Sequence, residues 1–177
     1  MIVSLEPWEW VHALNVAARR QEANWDSSDR THYDRKRMED DRTAQARACV
    51  CELAVAKATN RYWSGSVWAK SSHSKYKNSH ADVGANFEVR CVRSRDDVAV
   101  REWQVGQGLH LFAARTTDAE LTQVEIIGHM KYDDAWELGT TPNYIKHEEV
   151  PGKRTRAVLL SDLHPFPENY TDNRSIG

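Results

Sequence analysis

Cysteine, long apolar runs and a dominant sign of charge are all scarce in this chain, and each scarcity closes off a class of protein. There are three cysteines, Cys49, Cys51 and Cys91. An odd count with two of them a single residue apart argues against a disulfide framework. C-x-C with one distant partner also lacks the paired knuckles of a structural zinc site, so small buried thiols in a reducing cytoplasm are expected. No apolar stretch approaches the roughly 20 residues needed to span a bilayer, so no membrane partner is expected. The start, residues 1–7, lacks the basic flank and apolar core of a secretory leader. Lysine and arginine number 24 against 26 acids, a formal charge of −2. Any attraction to nucleic acid must therefore be local rather than global.

What is present suits one domain with a solvated surface. The chain has 177 residues, 28% of them charged, and seven tryptophans. Its mean hydropathy is −0.72. That length suffices for one substantial core. Most of the tryptophans are expected to pack, with Trp8, Trp10 and Trp25 seating the N-terminal helices on the sheet or forming a homodimer surface.

Periodicity divides the chain into helices first and strands afterwards. Trp8, Val11, Leu14 and Ala18 recur at helical spacing over residues 7–21, and Pro7 suits a first turn. Residues 24–29 read as a loop, and residues 29–43, dense in both charges, as a solvated helix. A second amphipathic helix is predicted over 42–61, striped by Ala46, Val50, Leu53, Ala54 and Ala58. Residues 70–80 carry three lysines, two histidines and no acid, and read as an exposed loop. Strands are predicted at 87–92, 98–104, 109–114, 124–130 and 156–160, with a short helix at 132–138 and a frayed polar tail. The expected fold is α+β: helices followed by a central mixed, mainly antiparallel sheet. Residues 1–41 read as an N-terminal helical extension, 42–166 as the core and 167–177 as the tail.

Chemistry concentrates around Asp82, Glu88 and Arg90. Period-two alternation puts Glu88 and Arg90 on one face of a strand and Phe87, Val89 and Cys91 on the other. Asp82 stands at the preceding turn, in Asp82-Val83-Gly84. Two carboxylates and a cation at a strand end can hold a divalent metal and a phosphate together. Glu52 adds a third carboxylate, set in the most apolar part of the second helix. Burial there is costly without a partner, so Glu52 is expected to face a polar cleft or to pair with a base such as Lys57 or Arg90.

The order Glu52 on a helix, Asp82 at a turn, then Glu88-Val89-Arg90 on a strand resembles the PD-(D/E)XK nuclease superfamily, in particular its small phage-encoded branch. The likeness spans residues 42–166. It includes the strands around Leu109-His110-Leu111-Phe112-Ala113 and Val124-Glu125-Ile126-Ile127-Gly128. The resemblance implies a restriction-endonuclease-like core and hydrolysis of DNA phosphodiesters with Mg²⁺ (or Mn²⁺) in a bacterial host cytoplasm. It makes Glu52, Asp82 and Glu88 metal ligands, joined by the Val89 carbonyl, and gives Arg90 the scissile phosphate. Lys57, Lys70, Lys75, Tyr76 and Lys77 would contact the nucleic acid. Arg90 stands where the family usually has lysine. A guanidinium always carries charge and can neutralise a phosphate, but it is a poor general base. The alternative is a catalytically inactive nuclease fold that binds nucleic acid or a host defence protein.

Overall fold

A computed structural model describes residues 1–23, 41–68, 80–93, 95–142 and 154–167. Strand β1 (Ile2–Ser4) leads into helix α1 (Pro7–Ala23), and helix α2 runs over Asp41–Ala58. There follow β2 (Phe87–Cys91), β3 (Asp97–Arg101), β4 (His110–Thr116), β5 (Gln123–Lys131), helix α3 (Tyr132–Leu138) and β6 (Thr155–Leu159). The α+β expectation is met. The predicted helix at 29–43 falls largely on residues 24–40, and most of the C-terminal tail on 168–177, both outside the described residues. So does Trp25.

Four strands form one sheet in the order β1-β5-β4-β2, with β2 and β4 parallel and the other neighbours antiparallel. Strands β3 and β6 make a separate antiparallel pair. The strand expected at 98–104 stops at Arg101, where a short 3-10 turn over Glu102–Gln104 takes over. Strand β1 was not anticipated, because three residues carry too little alternation to register.

Both faces of the sheet are covered, by different partners. Helices α1 and α2 pack on one face, burying Val50 and Val55 with Val89, Phe112, Val124 and Ile126. The β3/β6 pair and α3 cover the other, burying Val98, Val100, Val158 and Trp136 with Leu111, Ala113 and Met130. Strand β4 therefore reads as a continuous apolar run, as expected for a strand buried on both sides. A bulge lets β5 serve both layers. Ala113 pairs with Gly128 but Ala114 with Ile126, so Ile127 is the extra residue. Val124 and Ile126 face the helices, whereas Met130 faces the small sheet. Just beyond the bulge the backbone of residues 163–164 crosses β5 closely: a Cβ added to Gly128 would lie 2.8 Å from both His164 O and Leu163 Cβ.

The boundary expected at residue 41 does not separate two cores. Val3, Leu5, Ala13, Val16 and Ala17 belong to the same buried cluster as α2 and the sheet. A 17-residue helix with alanines on its inner face packs closely enough to become part of the core rather than an appendage. Trp63 and Trp136 are buried as expected, Trp10 donates its indole N–H to Glu120 O at 2.9 Å, and Trp8 is 70% exposed. No described helix is long and apolar enough to cross a membrane.

Candidate active site

Strand β2 lies at the edge of its sheet, and its two sides are used differently. His110 N donates to Asn86 O and Val92 N to Ala114 O, so the even-numbered residues direct their peptide groups at β4. Phe87 turns the other way and exchanges hydrogen bonds of 3.1 Å with Val83 in both directions. Val89 follows the same outward phase, and its N–H donates to Asp82 Oδ2 at 2.8 Å. In an extended residue the C=O leaves on the same side as the N–H, so the Val89 carbonyl shares this free edge with Asp82. The Asp82 turn is closed by Gly84 at φ +58, a left-handed conformation that favours glycine.

Glu88 and Arg90 project from β2 toward the layer of β3 and α3. They form an ion pair through Glu88 Oε1 and Arg90 Nη1. Arg90 is engaged on all three nitrogens. Nε donates to Ala99 O at 3.3 Å and Nη2 to Gln104 Oε1 at 2.5 Å. Gln104 also accepts from the Tyr132 hydroxyl at 2.8 Å, and that hydroxyl accepts from Arg101 N at 2.6 Å. Burial alone would weaken the guanidinium charge. The charges of Glu88, Tyr132 and Asp82 outweigh it and hold Arg90 above its usual pKa.

Glu52 comes from α2 and is 5% exposed. Its partner is neither Lys57 nor Arg90, as the sequence led us to expect, but Arg20 of α1. Arg20 Nη1 and Nη2 grip the carboxylate at 2.8 and 2.9 Å, while Arg20 Nε donates to Ser66 O at 2.9 Å. The Trp63 indole N–H adds a third bond at 2.8 Å, to Glu52 Oε2. A signal for Arg20 exists in the sequence: it continues the helical face of Ala13, Val16 and Ala17, so a buried acid opposite has a cation within reach. Lys57 turns instead to the N-terminal segment, donating to Glu9 Oε2 at 2.7 Å and Ser4 O at 3.0 Å. Lys70, Lys75, Tyr76 and Lys77 lie outside the described residues.

Asp82, Glu88 and Glu52 share one electrostatic neighbourhood. Burial first, then the charges of Glu88 and Glu52, push the Asp82 carboxyl well above the usual range, against the pull of Arg90 and the Val89 N–H. Asp82 Oδ1 and Glu88 Oε2 make no hydrogen bond among the described residues. Among the described residues no group of three or more His, Cys, Asp or Glu side chains is disposed to hold a metal. Asp82 and Glu88 are the carboxylates nearest the outer edge of β2, while Glu52 is gripped by Arg20 and Trp63. Comparisons with protein-family models, with curated proteins and with solved structures find no match to this chain.

Proposed function

We propose that this chain is a small phage-type, metal-dependent phosphodiesterase acting on DNA in a bacterial cytoplasm, on a restriction-endonuclease-like core of the PD-(D/E)XK kind. The observation that supports this reading is the Asp82 carboxylate, held by the Val89 N–H at the outer edge of β2 and electrostatically coupled to Glu88 and Glu52. Mg²⁺ is typically held by one or two carboxylates with waters and substrate phosphate making up the rest, and this donor set suits it better than a closed all-protein cage. Bound there, Mg²⁺ or Mn²⁺ would supply Lewis-acid stabilisation of phosphoryl charge and a more acidic water. The chain's own residues prepare the site. The Val89 N–H orients Asp82, Arg90 fixes the Glu88 carboxylate, and Arg20 and Trp63 fix the position of Glu52. In this reading Arg90 reaches a phosphate with the N–H donors that Ala99 O, Glu88 and Gln104 leave over.

A second reading is favoured by the Glu88–Arg90 pair itself: a nuclease-like fold that binds nucleic acid or a host defence protein without cutting. A guanidinium already engaged on all three nitrogens, by Ala99 O, Glu88 and Gln104, keeps only two of its five N–H donors for a substrate phosphate.

Incubation with single-stranded, duplex and branched DNA in Mg²⁺ or Mn²⁺ separates the two. The hydrolase reading expects cleavage that chelation abolishes. It also expects Asp82→Asn, which preserves the acceptor for Val89 N–H, to lower cleavage by at least the roughly 100-fold that loss of a metal-site partner can cost. No metal-dependent cleavage of any of these substrates, or full activity in Asp82→Asn, sinks it.

A further inference from the structure

The Asp82 turn is bordered by aromatic side chains whose placement owes nothing to metal binding. Tyr62 is 78% exposed, more than any other large hydrophobic residue among those described. Its position is set by backbone contacts: Gly84 N donates to Tyr62 O at 2.8 Å, and the next residue, Trp63, bridges to Val83. The segment alternates, with Trp63 buried and Tyr62 and Ser64 exposed, so Tyr62 projects away from the indole that holds Glu52. Arg61, just before it, lies over the Phe87 ring at 4.3 Å and packs against Gly84, with its Cδ only 3.1 Å from a Cβ built there. Trp68 and His80 pack ring against ring at 5.1 Å, His80 standing two residues before Asp82 in the sequence.

We propose that Tyr62 is a stacking platform for unpaired bases, and that the strand presented to the Asp82 turn is single-stranded DNA. The inference rests on the DNA-directed reading above and adds its substrate class. Stacking on an aromatic face needs no net positive charge, which a chain of charge −2 does not supply. It does need the base face to be accessible, as it is in a single strand and is not within a duplex.

The test is binding, measured in EDTA so that cleavage plays no part. The probes are a fluorescent oligothymidylate of about 20 residues, which exceeds a typical single-strand site size, and a blunt duplex of the same length. We expect the single strand to bind more tightly than the duplex. Tyr62→Ala should weaken single-strand binding about tenfold or more, the scale of one lost stacking contact, and Tyr62→Phe should retain it. Equal binding of single strand by the wild type and Tyr62→Ala, no measurable single-strand binding, or tighter binding of the duplex overturns the proposal. Binding in EDTA is read without any contribution from cleavage. A chain that cannot cut therefore still passes or fails this test, and a chain that cuts can fail it.

Discussion

At Asp82 a carboxyl group gains a backbone hydrogen bond and loses more to burial and to two like charges. Its pKa is therefore raised in the folded chain, chiefly by burial and then by Glu88 and Glu52. The folded state holds this proton more tightly than the unfolded state does, so stability falls as pH rises from the ordinary aspartate value through the raised one. Asp82→Asn removes that loss. Without metal its denaturant midpoint should exceed the wild type's at pH 8, and the gap should close toward pH 4. Mg²⁺ should raise the wild-type melting temperature and leave that of Asp82→Asn unmoved; a shift of equal size in both would place the cation elsewhere. Arg20 makes the converse case. It neutralises a carboxylate that is almost wholly buried, and deleting one partner of such a pair costs about 3–5 kcal/mol because the other charge stays uncompensated. Arg20→Met should be destabilising on that scale. Adding Glu52→Leu should recover much of the loss, and simple additivity in the double-mutant cycle would rule out the pairing.

Two features of the strands carry predictions of their own. His110 of β4 and His129 of β5 face the helical layer, where Nε2 of one lies 2.7 Å from Nδ1 of the other. Phe87, Phe112 and Phe166 surround them. Burial, then the charges of His129, Lys131 and His164, lower the His110 pKa to about 4, with Asp134 pulling the other way, and His129 is lowered by burial and His164. Both rings are neutral in the fold and gain protons on unfolding near pH 6.5. Their contribution is thus complete above that pH and is lost progressively as pH falls toward about 4. Chemical denaturation across this window should show a midpoint that drops with acid, and His110→Phe should flatten part of the slope. Gly128 is the second feature. The close crossing of residues 163–164 leaves no room for a methyl group, so Gly128→Ala should cost about 1–3 kcal/mol as an overpacked contact. Faster hydrogen exchange at His129 N, which donates to His164 O at 2.9 Å, would locate the damage.

Over the whole molecule, α1 is where local pattern and global role diverge most. Its helical spacing was legible, and so were α2, α3, the centres of β2 to β6 and the cluster of Asp82, Glu88 and Arg90. Each rests on short-range periodicity or on neighbours within a few residues. The membership of α1 in the core was not legible, nor was its gift of Arg20 to the site, because both depend on contacts spanning 32 residues of sequence or more. Removing residues 1–23 should accordingly abolish cooperative unfolding rather than trim an appendage. A truncated chain that melts with the wild-type midpoint would contradict the shared core.

What the sequence determined by itself is the order of helices and strands and the alternation that sets Glu88 and Arg90 on one face. These follow from side-chain period and backbone geometry, which act over a few residues. Only the tertiary structure decided which cation meets which acid. Lys57 was the nearer candidate along the chain, yet it lies on an exposed part of α2 and closes on Glu9, while Arg20 crosses from another helix to reach Glu52. Arg90, whose neighbour Glu88 was visible from the start, is held by Gln104 and Ala99 as well. Ion pairing depends on distance in space and on the cost of burying charge, and neither is written in the spacing of residues along a chain.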